Sequence, residues 1–240
     1  VVMLDKIPVI EIFGPTIQGE GSVIGVKTMF VRTYGCDYRC SWCDSAFTWD
    51  GSAKDQVRMM DVSDIVSELS QLAEGNFSWV TISGGNPALI GQPVHNLIDQ
   101  LHALGVKVAV ETQGSRWQDW FSSVDVLTVS PKPPSSRMRT DWDVLDQLYR
   151  KLKAGNYVLK VVVFDDADYD YAKTVHLRYP GVPFYLQAGN DRVAQEGPTV
   201  ERLLKKLNWL IEKVAADSDM NEARTLPQLH TLLWGNERGR

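Results

Sequence analysis

The sequence predicts an α/β fold, a partial (open) parallel-stranded β/α barrel of about six strands. Three observations predict it. Short apolar runs alternate with amphipathic stretches of helical length, the pattern of strands joined by crossover helices. The visible strands number about six, fewer than a closed eight-stranded barrel needs. The polar and glycine-bearing motifs fall where strands end, the edge at which ligands gather in such sheets.

Thr28-Met29-Phe30-Val31-Arg32 reads as the first strand, and a long loop follows. From Asp61 to Leu72, the residues Val62, Ile65, Val66, Leu69 and Leu72 recur at helical spacing. Trp79 to Ser83 reads as a strand that stops at Gly84-Gly85. Val94 to Leu104 reads as a helix closed by Gly105; Val106 to Glu111 and Val126 to Ser130 are further strands. A helix from Trp142 to Lys153 ends before Gly155. A Val-rich strand from Tyr157 to Phe164, a helix from Asp168 to Leu177, a short strand from Phe184 to Gln187 and a helix from Val200 to Ala215 complete the pattern. The segment Asp217 to Arg224 reads as a loop. No repeat, low-complexity run or linker interrupts the chain, so residues 1–240 read as a single domain.

Composition narrows the function. The chain is 44% apolar and 23% charged, as soluble globular proteins are. A net charge of −5 disfavours general nucleic-acid binding, which needs a basic face. No apolar run approaches the ~20 residues of a membrane span. The first residues, Val1 to Lys6, lack the basic head of a secretory signal. A cytoplasmic location without membrane association is the expectation.

The chemistry centres on Cys36, Cys40 and Cys43, the only cysteines in the chain. An odd number in a tight cluster is unlike a disulfide framework. Thiolates this close can converge on one metal centre. Zinc normally takes four ligands, and His95, His102, His176 and His230 are all distant in sequence. Three thiolates on a four-iron cluster leave one iron open for chemistry. Other groups suit binding. Arg32 offers a fork for a carboxylate. Asp44 and Ser45 offer hard oxygens of the kind Mg²⁺ prefers. Glu111 can accept two ribose hydroxyls.

The Cys-x3-Cys-x2-Cys spacing, after a strand and before a helix, resembles the radical S-adenosylmethionine (SAM) superfamily signature. The ordered set Glu11-Ile12-Phe13-Gly14-Pro15-Thr16-Ile17-Gln18-Gly19-Glu20-Gly21, Arg32, Cys43-Asp44-Ser45 and Ser83-Gly84-Gly85 resembles the 7-carboxy-7-deazaguanine synthase family. The resemblance runs from Glu11 to about Gln187, with an echo near Gln228 to His230.

That resemblance implies a radical SAM domain with an N-terminal substrate-binding segment and a C-terminal helical extension. Cys36, Cys40 and Cys43 would hold a [4Fe–4S] cluster, with SAM chelating its open iron and yielding a 5′-deoxyadenosyl radical. No protein side chain is then catalytic in the acid–base sense. Trp42, Asp44, Gly85, Glu111, Gln113, Ser130, Pro131, Lys132 and Gln187 would serve SAM. Ile17, Gln18, Gly19, Arg32, Ser83 and His230 would serve a pterin substrate. Ser45 would bind Mg²⁺. Asn86 stands where the family usually has Glu. The implied reaction converts 6-carboxy-5,6,7,8-tetrahydropterin to 7-carboxy-7-deazaguanine with loss of ammonia, on the way to queuosine. The implied partners are an electron donor such as a flavodoxin and a second copy in a homodimer. A glycyl-radical activase and a non-catalytic iron–sulfur or zinc module are the alternatives.

Overall fold

The computed structural model describes residues 6–152, 156–190, 200–235 and 237–239. The helix end expected at Lys153, with Gly155 after it, lies outside them, as do Val1 to Asp5. The six expected strands are β2 (Lys27–Thr33), β4 (Trp79–Gly84), β5 (Lys107–Thr112), β6 (Val126–Val129), β7 (Tyr157–Val163) and β8 (Phe184–Ala188). Among the described residues, three more extend the count to nine: β1 (Ile7–Ile17), β3 (Arg58–Met60) and β9 (Ala223–Leu226). The sheet order is β3-β1-β2-β4-β5-β6-β7-β8-β9. Strands β2 to β9 pair in parallel, apart from β3, while β1 pairs antiparallel with both β2 and β3.

The added strands carry weak patterns. Gly14-Pro15 interrupts the apolar alternation of β1, and its pairing with β2 shifts register on both sides of Ile12-Phe13. β3 and β9 are three and four residues long, too short for a period to register. The loop expected over Asp217 to Arg224 thus holds the start of β9. There Asp217 accepts hydrogen bonds from Lys173 Nζ at 2.9 Å and from the Tyr169 hydroxyl at 3.1 Å.

The helices are α1 (Val62–Leu72), α2 (Gln92–Ala103), α3 (Trp142–Lys151), α4 (Asp166–Arg178), α5 (Val200–Ala215) and α6 (Leu229–Trp234). Asp141 caps α3 by accepting from Val144 N at 3.1 Å, and Asp165 caps α4 by accepting from Asp168 N at 2.9 Å. Among the described residues, no helix is long and apolar enough to cross a membrane.

Two-residue alternation sorts the strands into two faces. Met29 and Val31, Val80 and Ile82, Val108 and Val110, Leu127 and Val129, Leu159 and Val161, and Leu186 are fully buried in one cluster. That cluster includes Ile65 and Leu69 of α1, Leu97 and Leu101 of α2, Leu145 and Leu148 of α3, Val175 of α4 and Leu210 of α5. The intervening residues point to the opposite face. They include Thr28, Arg32, Thr81, Ser83, Glu111, Thr128, Ser130 and Lys160. Parallel strands run in chain order with helices packed on one face, as in an open barrel, and the polar face is left for a ligand.

This division predicts unequal costs for neighbouring substitutions. Ile82→Ala should destabilise the protein by about 2–5 kcal/mol, as a buried aliphatic truncation does. Thr81→Ala should cost about 1 kcal/mol, the loss of its 3.0 Å hydroxyl contact with Thr28. Denaturant unfolding of the two variants checks the ranking.

Candidate active site

A cavity of about 420 Å³ opens on the polar face. Its walls come from several places. The end of β1 and the turn after it bring Ile17, Gln18, Gly19 and Glu20. The strand ends bring Arg32, Ser83, Gly84, Gly85, Glu111, Gln113, Ser130 and Lys132, and the middle of β7 brings Lys160. The cysteine loop brings Trp42, Asp44 and Ser45, and the C-terminal segment brings Gln228, His230 and Arg238.

The three cysteines are free thiols in the loop after β2, with Cys40 buried. Donors point at two of the sulfurs. Tyr38 N is 3.4 Å and Gln113 Nε2 3.6 Å from Cys36 Sγ, while Trp49 Nε1 is 3.4 Å from Cys43 Sγ. Such donors suit thiolate ligands of an iron–sulfur cluster. Burial raises the Cys36 thiol and pushes Cys40 up to about 11. Sulfurs on one tetrahedral zinc lie within about 4 Å of one another. Among the described residues, the one triad with ligand atoms mutually within 4.8 Å is Glu20, Asp44 and His230. The three sulfurs form no such group among the described residues.

Beneath the cavity lies a buried charge network. Lys160 Nζ donates to Glu20 and lies 3.9 Å from Glu111 Oε1. Glu20 also accepts from Gln228 Nε2 at 2.8 Å, with His230 Nε2 at 3.8 Å. Burial alone would raise the Glu20 carboxyl. The charges of Lys160 and His230, with hydrogen bonds from Lys160 and Gln228, overcome it and hold the group at about 2. Burial would lower the Lys160 ammonium, but Glu20 and Glu111 together drive it above its ordinary value. Unlike Glu20, the Glu111 carboxyl is raised, chiefly by burial.

Comparison with known proteins follows the same lines. A family described as a 4Fe-4S single cluster domain matches residues 17–131. The 7-carboxy-7-deazaguanine synthase of Bacillus cereus is 57% identical over 238 residues, spanning 98% of this chain and all of its own. That of Bacillus subtilis is 56% identical and spans 99% of this chain and all of its own. That of Thermoplasma acidophilum is 30% identical and spans 95% and 98%. The chain belongs to the 7-carboxy-7-deazaguanine synthase family. The crystal structure of QueE from Escherichia coli shares the fold, with a TM-score of 0.70 at 24% identity over 94% of this chain and 95% of that one.

Most residues that the family resemblance singled out meet around the cavity. Arg32 is held by Phe13 and Phe47, whose ring centroids lie 5.4 and 5.5 Å from its guanidinium carbon. Its Nε is 3.0 Å from Glu11 Oε2, an ion pair out of hydrogen-bond alignment, since neither atom has such a partner. Trp42 donates its indole N–H to Ser135 Oγ at 2.9 Å and packs on Phe164 with ring centroids 4.7 Å apart. Ser45 donates to Asp44 Oδ1 at 3.1 Å, and Lys132 donates to Ser130 Oγ at 3.3 Å. His230, from α6, sits beside Gly19, where any Cβ would collide with the imidazole.

Others do different work. The Gln18 amide oxygen accepts from Gly19 N at 2.7 Å and Glu20 N at 3.2 Å, bracing its own turn. A Cβ on Gly85 would strike the backbone of Gly35, so that glycine lets β4 approach the cysteine loop. Pro131 and Gln187 lie off the cavity wall. Gln187 donates to Pro227 O at 3.0 Å and keeps a buried oxygen without a partner. Asn86 also lies off the wall, with 1% exposure. Sequence reasoning missed Glu20 and Lys160 as site residues. Their signal was available: a lysine inside the apolar run Tyr157–Val163 must find a counter-charge if it is buried.

Glu20 carries a pH signature. Its folded value of about 2 lies below the ordinary 4.5. The carboxylate therefore adds stability that is complete above about pH 4.5 and is lost as pH falls through about 2. Glu20→Gln should be less stable than the native chain by about 3 kcal/mol near neutrality. The gap should shrink towards pH 2, as urea unfolding at a series of pH values would register.

Proposed function

We propose that this chain is a radical SAM lyase that forms 7-carboxy-7-deazaguanine from 6-carboxy-5,6,7,8-tetrahydropterin, with loss of ammonia, in deazapurine biosynthesis. One observation carries the reading. The loop bearing the three thiols lends Trp42, Asp44 and Ser45 to the same cavity that Arg32, Ser83 and His230 line. A cluster-side wall and a carboxylate-binding wall therefore face one space.

Cys36, Cys40 and Cys43 are assigned to the [4Fe–4S] cluster and leave one iron for SAM. When bound, cluster and SAM together supply a carbon-centred radical able to take hydrogen from C6 of the pterin. The chain's own groups bind, orient and shield. Trp42 offers a flat face to the adenine, with Lys132 Nζ 5.8 Å from its ring centroid. Glu111 faces the ribose. The backbone at Gly85 and the segment Ser130 to Lys132 line the SAM side, and Gln113 meets that side beside the cluster. Gln187 and Pro131 support it from behind.

On the substrate side, Arg32 grips the carboxylate. The turn from Ile17 to Gly19, Ser83 and His230 border the pterin ring. Glu20 and Lys160 keep fixed charges under it. Mg²⁺ is assigned to Ser45, whose hydroxyl donates to Asp44, a carboxylate grouped with Glu20 and His230 and of the hard oxygen type that Mg²⁺ prefers. A flavodoxin-like electron donor, a homodimer and a cytoplasmic setting complete the reading.

Anaerobically reconstituted protein, given reductant, SAM, Mg²⁺ and the carboxytetrahydropterin, should release 7-carboxy-7-deazaguanine; a yield no higher than that of Cys43→Ala would refute the assignment. Arg32→Gln separates the two walls. It should cut kcat/KM for the pterin by roughly 100-fold, the loss of a charge-assisted fork, while slow SAM cleavage persists. Equal loss of both activities would remove Arg32 from the substrate wall.

A further inference from the structure

A second polar network lies behind the cysteine loop and reaches the cavity wall only at Thr112 and Gln113. Asn86 occupies its centre. Its Oδ1 accepts from Thr112 Oγ1 at 2.8 Å and Ala88 N at 3.2 Å. Its Nδ2 donates to Asp37 Oδ1 at 2.9 Å and to Ser115 Oγ at 3.0 Å. All four hydrogen-bonding positions of this amide are filled. A carboxylate at position 86 could not make the two donations.

Asp37, next to Cys36, collects the rest. Gln113 Nε2 donates to Asp37 Oδ1 at 2.6 Å, and Ser115 Oγ donates to Asp37 Oδ2 at 2.7 Å. Gln113 Nε2 also lies 3.6 Å from Cys36 Sγ. An amide nitrogen has two hydrogens. One is committed to Asp37, and that bond fixes the plane in which the other reaches the sulfur. The chain of contacts thus runs from Asn86 through Asp37 and Gln113 to a cysteine sulfur.

We propose that Asp37 is a positioning residue, clamped by Asn86 and Ser115, that aims the Gln113 amide at Cys36 and so tunes the electron affinity of the cluster. The proposal rests on the assignment of the three cysteines to a cluster. It moves Gln113 from the SAM wall to the cluster. Hydrogen bonds to the sulfurs of an iron–sulfur centre stabilise its reduced, more negative state and raise its potential. Outer partners of metal ligands also hold the ligands in place. Asn86 is then the residue that lets a carboxylate sit at position 37, because it supplies donors where an acid would repel.

Three variants test this: Gln113→Leu, Asn86→Asp, and the exchange Asn86→Asp with Asp37→Asn. The exchange restores one acid, one amide and the charge count. The readouts are the midpoint potential of the reconstituted cluster by redox-poised electron paramagnetic resonance and the rate of iron loss to a ferrous chelator. Circular dichroism of the metal-free proteins checks folding. Gln113→Leu should lower the potential with the fold intact. Asn86→Asp should lower it and speed iron loss roughly tenfold, and the exchange should bring both back towards the native values. A native-like potential in Gln113→Leu overturns the proposal. So does an exchange no better than Asn86→Asp alone, a comparison that still decides if Gln113→Leu fails to fold. Native protein that takes up no iron would instead overturn the cluster assignment beneath it.

Discussion

The site depends on a buried ion pair between Lys160 and Glu20. Lys160 stands on β7, inside the sheet, with 4% exposure. An isolated ammonium there would be strongly unfavourable. Glu20 comes from the far end of the sheet, in the turn after β1. The pair therefore fixes where the N-terminal segment crosses the polar face. Gln228 and His230 then gather on the same carboxylate, so the C-terminal segment closes over the turn. Three distant stretches of chain meet at one charge.

The sheet makes that meeting possible. Alternate residues of β2 and β4 to β8 face the helices and are apolar, and the opposite face carries Arg32, Ser83, Glu111 and Lys160 beside Phe30 and Val162. One apolar core therefore stabilises the barrel while leaving the opposite face free for chemistry. The cysteine loop leaves β2 at the same edge. Gly35 N bonds Thr48 O at 2.8 Å, and Asn86 N bonds Gly35 O at 2.8 Å. These bonds hold the loop against the end of β4, where glycine alone fits.

Much of this was legible in the sequence because the period was strong. The six central strands and five long helices follow from apolar recurrence, and the cavity edge follows from motifs at strand ends. β1 was obscured by Gly14-Pro15, which broke the alternation that marks a strand. β9 was obscured by its four residues and its half-exposed setting. The cysteines, Arg32 and Glu111 stood out because each side chain suggests one recognisable kind of chemistry. Glu20, Lys160 and the Asn86 network were not, because their roles lie in contacts across the fold. Glu20 and Lys160 are 140 positions apart, a pairing that no local spacing encodes. Asn86 looked like a loss of charge. Its neighbour Asp37 supplies that charge from another loop.

The central claim is that the cluster-side wall and the carboxylate-side wall serve a single reacting pair in one cavity. Transfer of a substrate hydrogen tests it most directly. With pterin carrying deuterium at C6, SAM recovered after turnover should contain deuterium at its 5′ carbon, because the two carbons must come into contact across the space between Trp42 and Arg32. Product formation with no deuterium in the recovered SAM would contradict the account.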